Sequence, residues 1–191
     1  PITTLKQGLF HFEIRTYPEI ALREALLNAL VHSDYRIPGP ILVKQFKGRL
    51  EVSNPGGLPG GITPENILRH EPVPRNPALV DALTRLRLVN RSNLGVRRMY
   101  QALLMEGKEP PTIMDEGNAV RVIFRATPLS PSIRTFVAEE SDRGRLLPLE
   151  HLLIIQHLLR HPELDTATAV RITQQSENDA REMLSRMESE L

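Results

Sequence analysis

The run from Pro18 to His32 constrains this chain more than any other segment. Pro18 suits the start of a helix and Glu19 sits where the first turn favours a carboxylate. No glycine or further proline interrupts the run before Ser33. The spacing therefore predicts a helix from Pro18 to about His32. On a helical wheel Leu22, Leu26 and Ala29 form the central apolar face, with Ala25 and Leu30 beside it. Leu27 and Val31 fall on the far side. Glu24, Asn28 and His32 recur at i, i+4 spacing and form one polar stripe. Apolar residues border that stripe on both sides, so the helix is expected to be buried nearly all round, with the stripe facing something polar.

Two readings of the stripe follow. Buried polar side chains commonly satisfy one another and nearby backbone, and that alone accounts for three polar residues on a helix. The other reading is a ligand wall, in which a carboxylate orients or deprotonates water and an amide oxygen binds magnesium, a cation that takes hard oxygen ligands. The glycine-rich run Asn54-Pro55-Gly56-Gly57-Leu58-Pro59-Gly60-Gly61 favours the second, because glycine lets backbone approach a purine or phosphate closely. Gly95, before a helix holding Arg97 and Arg98, can offer amides and positive charge to phosphates.

The remaining chain reads as strands and helices in alternation. Phe10–Arg15, Ile41–Phe46, Arg49–Ser53, Thr112–Met114 and Val120–Phe124 are predicted strands, the second and third joined by a Lys47-Gly48 turn. Helices are predicted for 64–69, capped by Thr63, for 78–88, with Leu79, Leu83 and Leu86 on one face, and after Asn93-Leu94-Gly95 to about Glu106. Residues 127–148 hold Pro128, Pro131 and Pro148 among mixed charges and read as a linker with little structure of its own. Beyond it, predicted helices at 149–160, at 166–172 capped by Asp165, and from Glu177 capped by Ser176 have the outline of a helix-turn-helix. A packing or dimerisation module of three short helices has the same outline.

Composition narrows the function classes. Without cysteine the chain has no disulfide, zinc thiolate or cysteine nucleophile, which suits a reducing cytoplasm. No apolar run approaches the roughly 18 residues of a membrane span, and no signal-peptide pattern opens the chain. The start at Pro1 rather than Met is expected of a piece of a longer protein. Residues 1–127 carry 17 Lys/Arg against 12 Asp/Glu, and residues 151–191 carry 4 against 7. The mildly basic N-terminal part suits a nucleotide or nucleic acid.

Taken in order, these segments resemble the GHKL ATPases, which carry a Glu/Asn helix, a glycine-containing loop and a second glycine loop that acts as a lid. Tyr17-Pro18, Ala21-Leu22-Arg23-Glu24-Ala25 and Asn28 to Tyr35 are similar to a divergent bacterial and archaeal branch of that family. So are Arg49 to Thr63, Pro74-Arg75-Asn76-Pro77 and Gly95 to Met99. Proteins of that branch are labelled transcriptional regulators or RecG-related helicases, and pair this domain with a Schlafen-like, Alba-type module and often a winged helix. The resemblance implies an α+β Bergerat-type sandwich over residues 1–127, with a mixed, largely antiparallel sheet and helices on one face. A linker at 128–148 and a helix-turn-helix or truncated winged helix at 149–191 would follow. It implies Glu24 as the water-activating carboxylate, Asn28 as the magnesium ligand, and His32 near the phosphates. Asn54, Gly56 and Gly57 would lie on the adenine side and Gly95 in the lid. ATP or ADP with Mg2+ is the implied ligand, and DNA and a second copy of the chain are the implied partners.

The chain departs from the family at three places. Asn54-Pro55 stands where family members have an adenine-contacting Asp, the lid segment Ser92-Asn93-Leu94-Gly95 keeps a single glycine, and Ser33 replaces a usual Arg. No Gly-x-x-x-x-Gly-Lys-Ser/Thr phosphate loop exists to drive a helicase. Three functions remain open: a nucleotide-responsive regulatory domain, a slow Mg-dependent ATPase using Glu24, and a degenerate scaffold. A pocket filled by Leu94 or Arg97 is expected for the last.

Overall fold

The structure is a computed structural model describing residues 2–7, 10–89, 94–126 and 131–190. It is α+β, with a four-stranded antiparallel sheet, a separate two-stranded hairpin and seven helices among the described residues. The hairpin pairs β1 (Ile2–Gln7) with β2 (Phe10–Arg15), and β2 runs into α1 (Glu19–His32). The sheet has the order β3 (Leu42–Gln45), β4 (Arg49–Pro55), β6 (Ala119–Arg125), β5 (Thr112–Asp115). Strand β4 pairs with β6 from Arg49↔Arg125 to Pro55↔Ala119, so the glycine-rich run leaves the sheet where the β5–β6 turn also lies.

Alternation along the strands sets the inner face. Leu50 and Val52 on β4, Val122 and Phe124 on β6, and Ile113 on β5 are buried. They pack against Tyr17, against Ala21, Ala25 and Ala29 of α1, and against Met99 and Leu103 of α3 (Gly95–Met105). Tyr17 meets the fully buried Phe124 edge to face, with ring centroids 6.3 Å apart.

The helix of the opening motif forms where the spacing predicts, but its buried face differs. Leu26 and Leu30 are 41% and 40% exposed, while Ala21, Ala25 and Ala29 are buried. Leu22 is half-buried. The expectation of a helix buried nearly all round does not hold. The physical reason is size: α1 lies against both α3 and the sheet, and only alanine lets the backbones approach that closely. Ala25→Leu is therefore expected to cost about 2 kcal/mol by overpacking, and Leu26→Ser less than about 0.5 kcal/mol. Urea denaturation of the two variants measures the difference.

Two further expectations are corrected. Residues 64–69 form hydrogen-bonded turns rather than a helix, and the amide of Thr63 donates to Asn66 Oδ1 (2.7 Å) instead of Thr63 acting as a cap. Residues 128–148 are not a structureless linker, because Pro131–Asp142 is a helix, α4. Its Ile133 and Val137, one turn apart, are buried against Leu104, Leu149, Leu152 and Leu153. Prolines there mark boundaries: Pro131 begins α4 and Pro148 precedes α5 (Leu149–Leu158).

The C-terminal helices follow the sequence closely. Asp165 accepts from the Thr168 amide at the start of α6 (Thr166–Thr173), and Ser176 Oγ accepts from the Asp179 amide at the start of α7 (Glu177–Glu190). Ala169, Ala180, Met183 and Met187 close a small core with Ile154.

Candidate functional site

A cavity of about 520 Å3 opens beside α1, within the range of small-ligand sites. Glu24, Asn28 and His32 line it as one stripe, with Leu27 and Val31 next to them on the same wall. The inner face of the sheet forms its apolar floor through Val52, Ile113 and Val122. The third wall is the loop at 57–62 with Ile67 and His70. Val80 and Asp81 of α2 (Pro77–Arg85) complete it.

Six of the seven candidate residues converge on this cavity: Glu24, Asn28, His32, Asn54, Gly57 and Gly95. Gly95, the first residue of α3, abuts the stripe. A Cβ there would lie 2.9 Å from Glu24 Oε2 and 3.5 Å from Asn28 Oδ1. The N-terminal end of α3 thus lies beside the stripe, and a helix N-terminus suits an anion. Arg98, also on the first turns of α3, lies 3.8 Å from Glu24 Oε1 and lines the cavity. Buried Asn54 also lines it, and its Nδ2 donates to the Pro55 carbonyl (3.1 Å). The lid residues Ser92 and Asn93 lie outside the described residues.

Gly56 is not part of the lining. It sits behind the wall with φ +88°, and a Cβ there would lie 1.8 Å from Arg75 Nη1. The Arg75 guanidinium fills that space, donating through Nη2 to the Gly57 carbonyl (2.6 Å), with Nη1 3.8 Å from Asp34 Oδ2. Asn76 next to it donates to the carbonyls of Val31 and Ser33 and closes the C-terminal end of α1. Arg75 and Asn76 thus tie the glycine loop to the helix that carries the polar stripe. Both belong to the Pro-Arg-Asn-Pro run, but the side chain–backbone bonds that give them a role span 18 residues for Arg75 and 45 for Asn76. Asp115 holds the loop from the other side: Oδ2 accepts from the Leu58 amide and Oδ1 from the Gly117 amide.

The electrostatics of the stripe follow from this packing. Burial of the His32 ring, reinforced by the positive charge of Arg75, holds its pKa below the ordinary histidine value. His32 Nδ1 is buried without a hydrogen-bond partner. The sign is fixed by linkage. In the unfolded chain His32 titrates near 6.5, so below that pH the unfolded state binds the extra proton and stability falls. The native chain is expected to lose more stability than His32→Gln between about pH 7.5 and about pH 5.5. Equal losses in urea titrations at those two pH values would exclude this contribution.

Among the described residues no cluster of three His, Asp or Glu side chains is placed to hold a metal ion. Asn28 and Glu24 offer oxygen donors one turn apart, which suits a cation that keeps waters and takes phosphate oxygens for its remaining positions.

Residues 39–124 match a family model described as "Putative ATP-dependent DNA helicase recG C-terminal". That region is similar to an ATPase-like domain, and the match covers less than half of this chain. The match covers Asn54, Gly56, Gly57 and Gly95 and begins after the helix that bears Glu24, Asn28 and His32. The chain is also similar to the crystal structure of the DIP2311 protein from Corynebacterium diphtheriae, at 30% identity and a TM-score of 0.82. That likeness covers 97% of this chain and 38% of the other, so this chain spans well under half the length of that protein. No curated protein sequence matches. No helix among the described residues is long and apolar enough to cross a membrane.

Proposed function

We propose that the chain is a regulatory nucleotide-binding unit of a transcriptional regulator, with ATP or ADP and Mg2+ taken into the cavity of a Bergerat-type fold. The observation that carries this reading is the juxtaposition of the Glu24–Asn28–His32 stripe with the N-terminal turn of α3 across Gly95. The stripe supplies oxygen and nitrogen groups, and the helix terminus supplies amides. Asn28 Oδ1 would hold Mg2+, which neutralises phosphate charge when bound. The apolar floor fits a base, and Asn54 and Gly57 stand beside it. A degenerate scaffold is disfavoured by the same cavity: Leu94 is 40% exposed, Arg97 turns away to Glu150, and neither lines the space.

Slow ATP hydrolysis with Glu24 as base is the second reading. Its supporting observation is the position of Glu24 on the cavity wall beside Gly95. The ion pair with Arg98 opposes it while that contact lasts, since a base must be free to accept a proton. DNA contact through the helix-turn-helix outline of α6 and α7 meets a charge conflict. The exposed side of α7 carries Glu177, Asp179, Glu182 and Glu188 against Arg181 and Arg186, and each arginine is paired with a glutamate one turn away. Such a face repels phosphate, so DNA contact rests on surfaces other than α7.

Thermal unfolding with and without millimolar Mg-ATP or Mg-ADP tests the binding reading, because a ligand selective for the native state raises the transition temperature. The native chain is expected to shift upward and Asn28→Ala to lose most of that shift. Absence of a shift in the native chain rejects the reading. Phosphate release that is unchanged in Glu24→Gln rejects the hydrolytic role.

A further inference from the structure

The turn at 63–70 has two sides with different partners. Its inner side reaches the cavity through Ile67 and His70. Its outer side is bonded to the C-terminal helices at two separate places. Gln174 Oε1 accepts from the Leu68 amide at 2.7 Å, and Gln174 Nε2 donates to the Pro64 carbonyl at 2.9 Å. Both ends of one side-chain amide are thus used on one turn. Gln174 is also the first of the three residues between α6 and α7, with φ 57° and ψ 27°. A non-glycine residue keeps that left-handed backbone only where surrounding contacts hold it. The bridge therefore joins the corner of the α6–α7 unit to the cavity wall.

The second link runs through Glu150 in the first turn of α5. Its buried carboxylate takes Arg69 from the turn and, at 2.8 Å, Arg97 Nη2 from the first turn of α3. Arg97 is the neighbour of Arg98, which lies in the cavity against Glu24. Between these links the buried Leu68 side chain packs with Leu104, Ile133, Val137 and Leu149. Both protein elements that would meet a ligand's polar end or flank, the start of α3 and the 63–70 turn, are thus ion-paired or hydrogen-bonded to the C-terminal helices.

We infer that the 63–70 turn transmits cavity occupancy to the C-terminal helical unit, with Gln174 as the positioning residue of that coupling. The inference rests on the nucleotide reading of the cavity. A ligand that fixes Ile67 and His70 fixes the backbone of 64–68, and Gln174 carries this to the α6–α7 corner. Linkage makes the effect reciprocal: a partner that orders or displaces α6–α7 changes nucleotide affinity by the same factor. Glu150 with its two arginines holds α5 to the same wall, so the unit moves as a docked body rather than helix by helix.

Hydrogen exchange on the full chain, with and without Mg-ADP or the non-hydrolysable analogue adenylyl imidodiphosphate with Mg2+, separates the possibilities. Gln174→Gly removes both bridging bonds and tolerates the left-handed backbone. Gln174→Met removes them at constant side-chain length, and keeps the test intact if the glycine variant fails to fold. The expected result is nucleotide-dependent slowing by about threefold or more in both 62–70 and 166–190 of the native chain. In the variants the slowing at 62–70 persists and that at 166–190 is lost. Slowing at 166–190 that survives in both variants, or slowing confined to 62–70 in the native chain, overturns the coupling and leaves the nucleotide reading standing. No slowing anywhere, with no heat on calorimetric titration of the same nucleotides, overturns both.

Discussion

Gly56→Val is expected to lower the unfolding free energy by about 4 kcal/mol, and the melting temperature by about 10 °C. Two costs add. The backbone at Gly56 has φ +88°, a conformation that costs a branched residue roughly 1–2 kcal/mol. The new Cβ would lie 1.8 Å from Arg75 Nη1 and 2.8 Å from Asp34 Cβ, so the guanidinium must leave. Its departure breaks the 2.6 Å bond to the Gly57 carbonyl, worth roughly 1.5–3 kcal/mol for a charged donor. Gly48→Ala is the control. Nothing lies within 4 Å of a Cβ there and its φ is outside the left-handed region, so its effect stays within about 0.5 kcal/mol. Chemical denaturation of both variants makes the comparison; equal stabilities would show that Arg75 does not clamp the loop.

Gly95→Val carries the second large effect, on binding rather than on folding. The side chain enters beside Glu24 Oε2 and the Asn28 amide, at 2.9 and 3.5 Å for its Cβ alone. The helical backbone at the first position of α3 accepts valine at a cost below about 1 kcal/mol. The γ-methyls then occupy the space between α1 and α3 where phosphate would meet the helix terminus. Nucleotide affinity is expected to fall about 100-fold or more, equivalent to about 2.7 kcal/mol, in a chain that still unfolds cooperatively. Full affinity in the variant would move the phosphate end of the site away from Gly95.

The parts of this fold that were legible in the sequence are those set by local period and chemistry. The polar stripe Glu24–Asn28–His32 depends only on i, i+4 spacing, and it faces the cavity. The caps Asp165 and Ser176 are local contacts three residues long, and both form. The buried face of α1 was not legible in the same way. Hydrophobicity alone ranks Leu26 and Leu30 above Ala21 and Ala25, whereas the close approach of α1 to α3 and the sheet selects the alanines. Helix α4 was masked by its prolines, although Ile133 and Val137 stand one turn apart and Pro131 occupies a helix start. Arg75 and Gln174 were beyond local reading. Each acts across a long sequence separation, 18 residues for Arg75 to Gly57 and 106 for Gln174 to Leu68.

These same long-range contacts organise the site. Arg75 sets the glycine loop, Asn76 closes the end of α1, and Asp115 holds the loop from the β5–β6 side. They leave the stripe facing a cavity of about 520 Å3 beside the N-terminal end of α3. Isothermal calorimetry of Mg-ADP and of a non-hydrolysable Mg-ATP analogue into the native chain and Asn28→Ala tests that assignment most directly. Saturable heat that requires Mg2+ and disappears in a folded Asn28→Ala variant is the predicted result. No heat at millimolar nucleotide, or binding that Asn28→Ala leaves untouched, would contradict it.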